Sequence, residues 1–309
     1  MSVESSSLTI DAGQTGIRAR LHTGAGQSVP FEFGGIRTDS ALIPQLGEVV
    51  ATVAAETRQP ILTVSAGISG FSKAETDPRE LLAAGTAHGV REVFLAHDSV
   101  TSYLGALGDE LGVVVAAGTG VVTLAVGAHD VARIDGWGNL IGDAGSGYWL
   151  GRAALDAVMR AYDGRGPATA LSAVVRPDFP DIEMAYLDLQ ADPLRVSRIA
   201  AYARQVTELA ATDAVAAGIC DGAAAELVLS AATGLRRVSE DTASSPVVCG
   251  IGGVLRAPQI AARFERGLRE LWPAVDIRPA IANALDGAEY LARLAPTSAL
   301  RDRIASAAI

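Results

Sequence analysis

Apolar and polar positions alternate from the start of the chain. In "SLTIDAG" Leu8 and Ile10 are separated by polar residues, and the run ends in a glycine turn before a second run, "QTGIRARLH". A period of two on both sides of a turn predicts a strand and a returning strand. A third strand, "SVPFEF", follows the small-residue spacer "TGAGQ". Apolar spacing then turns helical over "LIPQLGEVVATVAAE" and continuous over the buried strand "ILTVSAGIS". "DPRELLAAGTAHG" predicts a helix with Pro78 in its first turn, "REVFLAHDS" another strand, and "VTSYLGALGDE" a helix after it.

The same order then begins again. "GVVVAAGTG", "VVTLAVGAHD" and "VARIDGWG" give a strand, a glycine turn and returning strands. The offset of about a hundred residues is what an internal duplication of a βββαβα unit produces. After residue 145 the pattern is helical, over "SGYWLGRAALDAVMRAYDG", "PLRVSRIAAYARQVTELAATDAVAAG" and "GAAAELVLSAATGLRRVSE". "SSPVVCGIGGV" returns as a strand ending in glycines, and helices "PQIAARFERGLREL" and "ALDGAEYLARLA" follow. At 309 residues the chain fits two domains of about 150 residues. No low-complexity linker separates the halves, so elements that cross between them must form the hinge.

Composition narrows the class. Apolar residues make up 49% and charged residues 19%, as in a packed globular enzyme, and no unbroken apolar run reaches the length of a membrane span. The N-terminus has neither a basic start nor an apolar signal core. With only Cys220 and Cys249, the expectation is a reducing, cytoplasmic location with no zinc site and no redox pair. A net charge of −10 without a basic cluster argues against nucleic acid as a partner. Lys73 is the only lysine and stands in "GFSKAE", so a P-loop is excluded and any nucleotide is held another way.

Candidate chemistry gathers at the turns. In "TIDAGQTG" a strand delivers Asp11 into a turn of Gly13, Gln14, Thr15 and Gly16, where backbone N–H groups can converge on phosphate and a carboxylate can hold hydrated Mg²⁺. A plain hairpin would use such glycines too. Gly118, Thr119 and Gly120 repeat the device in the second half. Asp98 ends a strand, where α/β crevices bind ligands, although it could equally cap the next helix. Strand alternation turns His97 beside it the other way, as a structural histidine. Trp137 and Asp143, among six glycines in "DGWGNLIGDAGSGYWLGRAAL", offer an aromatic face and a hydroxyl acceptor, a mixture that suits a sugar. Gly145, Gly147 and Gly151 fail the dinucleotide spacing, and Trp149 reads as core of the helix starting near Ser146. In "CGIGGV", Gly252 and Gly253 could let an adenosine lie against backbone, or simply form a strand-to-helix turn.

Together, "DAGQTG", "AAGTG", "GWGNLIGDAGSGYW" and "CGIGGV", in this order, resemble the N-acetylglucosamine kinase and BadF/BadG/BcrA/BcrD ATPase branch of the actin, hexokinase and Hsp70-like superfamily. The resemblance covers nearly the whole chain. It implies an α/β, duplicated ribonuclease H-like fold of two lobes with a cleft between them: residues 1–105 plus 288–309 as one lobe and 106–287 as the other. It implies that Asp11 holds Mg²⁺ and that Gly13, Gln14, Thr15, Gly118, Thr119, Gly120, Gly252 and Gly253 bind ATP. Asp98 matches the catalytic aspartate, and Gly136, Trp137 and Asp143 match sugar-contacting positions.

Three departures fall on the sugar side. Val121 and Val122 follow "GTG" where the family has serine, Ala144 replaces a glutamate, and Thr38 or Asp39 stands where an asparagine is common. The expected activity is transfer of the ATP γ-phosphoryl group to the 6-hydroxyl of N-acetylglucosamine or a close relative such as glucosamine, by a cytoplasmic homodimer that binds neither nucleic acid nor membrane. The alternatives are a BadF-type ATPase module driving a partner protein and a non-catalytic sugar sensor.

Overall fold

The alternation at the N-terminus is a hairpin of β1 (Ser7–Gly13) and β2 (Gly16–His22), paired in full from Ser7 opposite His22 to Gly13 opposite Gly16. Leu8, Ile10 and Ala12 are fully buried on β1, as are Ala19 and Leu21 on β2. The computed structural model describes residues 6–23 and 26–309. Gly24 and Ala25 of the "TGAGQ" spacer, and residues 1–5 of the N-terminal reading, lie outside the described residues. The first half continues through β3 (Ser28–Phe33), α1 (Leu42–Thr57), β4 (Thr63–Ile68), α2 (Pro78–Gly85), β5 (Glu92–His97) and α3 (Asp98–Leu107). The Asp77 carboxylate accepts from the Arg79 amide and Pro78 occupies the first turn of α2, as the sequence signals.

The second half runs β6 (Gly112–Ala117), β7 (Val121–Val126), β8 (Val131–Ile134), α4 (Gly147–Asp163), α5 (Leu171–Val175), α6 (Ala185–Ala191), α7 (Arg195–Ala201), α8 (Ala203–Leu209), α9 (Ala214–Arg237), β9 (Val247–Ile251), α10 (Pro258–Leu271) and β10 (Asp276–Arg278). The chain closes with α11 (Ala284–Tyr290) and β11 (Ala305–Ala308). It divides into two compact units. One contains residues 1–111, 128–131 and 280–309, the other 112–127 and 132–279.

The duplication is visible in the sheets. The first unit holds β11-β5-β4-β1-β2-β3 and the second β10-β9-β6-β7-β8. In each, an opening hairpin is antiparallel and its first strand pairs in parallel with a later one, β1 with β4 and β6 with β9. Each unit buries its own apolar cluster, built on Leu8, Ile10, Val64 and Leu95 in the first and on Val113, Val115, Leu227 and Phe264 in the second.

Three helical expectations need correction. The stretch 193–218 is α7 and α8 with Tyr202 at the joint, followed by the start of a different helix. That helix, α9, begins at Ala214 because the Asp213 carboxylate accepts the amides of Val215 and Ala216, and it runs on through Gly218 and Gly222. The last helix stops at Tyr290, because the Leu291 amide bonds back three residues to Ala288 and tightens the turn. By length and composition α9 is apolar enough to cross a bilayer, with mean hydropathy 1.5 over its most apolar window. Its Ala216, Cys220, Ala223, Leu227 and Leu235 are nevertheless buried in the second unit's core. Strands β10 and β11 were not expected; they are three and four residues long and held by pairing to β9 and β5.

Candidate active site

The first unit gathers its polar side chains at the carboxyl ends of parallel strands. Asp11 on β1 lies opposite Gly67 on β4, and Gly67 opposite Ala96 on β5. Three adjacent strand ends therefore bring Asp11, Ser69 and Asp98 to one edge, where ligands of α/β sheets bind. Gly67 lets α3 approach this edge: a Cβ there would collide with the buried Thr101 side chain. Asp98 is consequently the first residue of α3, and His97 is its cap, with Nδ1 3.1 Å from the Ser99 amide.

His97 does not turn away from Asp98 as alternation predicts, because the strand ends at His97 and helical geometry takes over. Its Nδ1 is 2.9 Å from Asp98 Oδ1 and 2.8 Å from Ser99 Oγ. A protonated Nδ1 serves the carboxylate; an unprotonated one accepts from Ser99. The Ser69 hydroxyl donates to Asp98 Oδ2. Burial alone would raise the Asp98 pKa, but His97, Ser69 and the Ser99 amide outweigh it and hold the carboxyl below its ordinary range. Asp98 is thus an ionised carboxylate with a side chain 28% exposed.

Asp11 differs. Its side chain is 13% exposed and its Oδ2 takes the Arg18 guanidinium at 2.6 Å. Burial pushes its pKa up, Arg18 opposes, and the charge of Asp98 adds to the rise. Gln14 and Thr15 form the exposed turn between Gly13 and Gly16. Thr38 packs over Gly70, directly after Ser69. Asp39 is occupied in an exposed local cluster with Arg37 and Ser40.

The second unit carries the repeated turn. The Gly118 amide donates to the Gly120 carbonyl at 2.8 Å. The carbonyls of Gly118 and Thr119 accept from the amides of Gly147 and Tyr148, at 2.8 and 2.9 Å. The first turn of α4 thus fixes the "AGTG" loop, and Gly147 permits the close approach, since a Cβ there would come 2.9 Å from the Gly118 carbonyl. Gly252, at φ +96°, packs against Ala117, and the Val254 amide donates to the Ala117 carbonyl at 3.0 Å. These bonds place the end of β9 beside the turn. Gly118, Thr119, Gly147, Gly253, Val254 and Arg256 line part of a cavity of about 640 Å³, closed on another side by Ala200, Ala203 and Arg204.

The "DGWGNLIGD" loop is organised by Asp135, whose part the sequence did not reveal. Its Oδ1 accepts from the amides of Gly136 (2.7 Å) and Asp143 (2.9 Å), and its Oδ2 from Ala144 (2.9 Å). Asp135 and Asp143 are both left-handed, at φ +55° and +61°. Asp143 is 8% exposed and lies under Gly120, with the Val121 amide 3.4 Å from Oδ1. Burial pushes its pKa up, reinforced by the neighbouring Asp135 charge. Gly136 has φ +79°. Trp137 is 57% exposed, with the Arg133 guanidinium 4.7 Å from its ring centre. Trp149 packs against the core, and Ser146 caps α4.

The structure therefore brings Asp11, the 13–16 turn, Thr38 and Asp98 together in one unit. In the other it brings together the 118–120 turn, Gly252, Gly253 and Asp143. Sequence reasoning missed Ser69, His97 and Asp135; a serine just past a strand end and the Asp-Gly-x-Gly spacing were the available signals.

Among solved structures, the chain is similar to candidate N-acetylglucosamine kinases of Chromobacterium violaceum (24% identity, TM-score 0.71, covering 93% of this chain and 98% of that one) and Porphyromonas gingivalis (17%, 0.69, 92% and 98%). It also resembles the ROK hexokinase of Thermus thermophilus (18%, 0.56, 96% and 99%). These likenesses show a fold of the sugar-kinase, actin-like type. Two curated relatives match over short stretches. The N-acetyl-D-glucosamine kinase of Dictyostelium discoideum is 43% identical over 72 residues, 23% of either chain. The N-acetylmuramic acid/N-acetylglucosamine kinase of Clostridium acetobutylicum is 33% identical over 81 residues, 26% of either. The chain thus spans about a quarter of the length of each curated relative it matches. The family model of the BadF/BadG/BcrA/BcrD ATPases matches residues 10–289. The chain belongs to the BadF/BadG/BcrA/BcrD ATPase family.

Proposed function

We propose that the protein is an ATP-dependent amino-sugar kinase, moving the ATP γ-phosphoryl group to the 6-hydroxyl of N-acetylglucosamine or a close relative such as glucosamine. The observation that carries this reading is Asp98, an ionised carboxylate held by Ser69 and His97 at a strand end. Such a group can take a proton from a hydroxyl at neutral pH. The sugar hydroxyl oxygen would attack the γ-phosphorus as its proton passes to Asp98, the bond to the β–γ bridging oxygen breaks, and ADP leaves.

The turn amides of residues 13–16 and 118–120 would hold the phosphates, and Gly252 and Gly253 the adenosine. Thr38, Gly136, Trp137 and Asp143 are the residues assigned to sugar contact. Val121 supplies no hydroxyl beside Asp143, so discrimination between amino sugars would rest more heavily on Asp143 and Trp137.

Mg²⁺ fits as an ion arriving with the nucleotide. Among the described residues no group of three or more His, Cys, Asp or Glu side chains could hold a metal by itself. Asp11, a shielded carboxylate whose charge burial and Asp98 disfavour and Arg18 only partly offsets, would gain from a hydrated cation that takes its other ligands from phosphate and water. When bound, the ion would neutralise charge building on the phosphates.

The test is product identification. Mg-ATP labelled in the γ-phosphate is incubated with N-acetylglucosamine, and the sugar fraction is examined by mass spectrometry and phosphorus NMR. A labelled 6-phosphate is expected. Label appearing only as inorganic phosphate would instead support the ATPase-module reading.

A further inference from the structure

We propose that Arg256 binds the phosphates of the nucleotide and supplies the positive charge that a P-loop lysine supplies elsewhere; this rests on the kinase reading for the nucleotide's identity. The chain carries a net charge of −10, and its single lysine, Lys73, donates to the Asp302 carbonyl in the first unit. Any side-chain cation that meets a polyphosphate in the second unit's cavity is therefore an arginine.

Two arginines line that cavity, Arg204 and Arg256. Arg204 is engaged: its Nε is 2.7 Å from Glu208 Oε1, one turn along α8. For Arg256, no carboxylate among the described residues lies within ion-pair distance. Its backbone is pinned, with the amide donating to the Gly252 carbonyl at 3.2 Å. Its guanidinium extends over Gly253, so that a Cβ there would come 3.8 Å from NH2. Gly253 and the phosphate-binding candidates Gly118 and Thr119 line the same cavity. The next residue, Ala257, also lines the cavity and immediately precedes α10, which starts at Pro258 without a side-chain cap.

A guanidinium beside a glycine turn can match phosphate oxygens in a fork that a lysine would not give. Elsewhere the cavity wall mixes apolar Leu150, Ala200, Ala203 and Val254 with the hydroxyls of Ser197 and Thr207, a lining that suits a nucleoside.

Binding of Mg-ADP, AMP and adenosine is measured by calorimetry for the wild type, Arg256→Gln and Arg256→Lys, at low and high KCl. Loss of a charge-assisted contact weakens binding by about ten- to a hundredfold. Arg256→Gln is expected to lose that factor for Mg-ADP, with adenosine unchanged and a shallower salt dependence. Arg256→Lys should recover only part of the loss. Equal weakening of adenosine and Mg-ADP, or no change for Mg-ADP, overturns the proposal, as does a wild type that binds no adenine nucleotide. If Mg-ADP binding falls as expected while no sugar is phosphorylated, Arg256 stands and the sugar-kinase reading falls.

Discussion

Replacing Asp98 by asparagine removes the proton acceptor while keeping the shape of the side chain. General-base catalysis contributes about a hundred- to ten-thousandfold, or about 2.7 to 5.4 kcal/mol of barrier at 1.36 kcal/mol per factor of ten. Stability should change far less. Ser69, His97 and the Ser99 amide all present donors to this carboxylate. An amide keeps one acceptor oxygen and faces a donor with its nitrogen, which costs charge assistance in the remaining bonds. The burial penalty on the charge disappears in return, and the Ser69 hydroxyl can rotate to accept. The net loss should be about 1–2 kcal/mol, small against the usual 5–15 kcal/mol of a folded domain.

The pH dependence has a definite sign. The folded-state pKa of Asp98 lies below its ordinary value, so the ionised form stabilises the fold above the unfolded pKa. That contribution disappears as pH falls through the folded pKa, from about pH 4 downward. Asp98→Asn should therefore flatten this acid loss. The assay is single-turnover transfer at saturating Mg-ATP and sugar, with thermal melts at pH 7 and at acid pH. Turnover within tenfold of wild type in a folded variant would refute Asp98 as the base.

Three further outcomes follow from the same geometry. His97→Ala should move the acid limb of kcat/KM to higher pH, because the Asp98 carboxyl loses a partner that favours its charged form; an unmoved limb with altered kcat would leave His97 a purely structural cap. Asp135→Ala strips the acceptor from three amides at 2.7 to 2.9 Å. It should cost about 2–4 kcal/mol locally, read as lost hydrogen-exchange protection over residues 136–144 and a raised sugar KM with Mg-ADP affinity retained. Gly35→Ala would drive a Cβ into the Gln14 carbonyl. It should lower stability by about 1–3 kcal/mol and raise the ATP KM more than the sugar KM.

What was legible in the sequence was what local rules govern. The two strand–glycine–strand openings are set by alternation around a turn, and both fold as hairpins in sheets of matching order. The starts of α2 at Pro78 and of α4 next to Ser146 follow from residues a few positions apart. The break at Tyr202 lies in an alanine-rich run with no glycine or proline to mark it, and Asp213 was a readable cap overshadowed by continuous apolar spacing. Strands β10 and β11 exist only because β9 and β5 offer them an edge. His97 shows where the strand rule stops: one residue into a helix, alternation no longer says which way a side chain points. Asp135 carries no sequence signal of its own beyond the Asp-Gly-x-Gly spacing, yet its carboxylate folds the loop that holds Asp143.

The most direct test of the account is ADP release from Mg-ATP measured without sugar and with glucose, glucosamine, N-acetylglucosamine, N-acetylmannosamine or N-acetylmuramic acid. The account predicts that one amino sugar raises ADP release at least a hundredfold over the sugar-free rate, the lower bound of what a general base contributes, and that Asp98→Asn abolishes the rise. Equal ADP release with and without every sugar would contradict it.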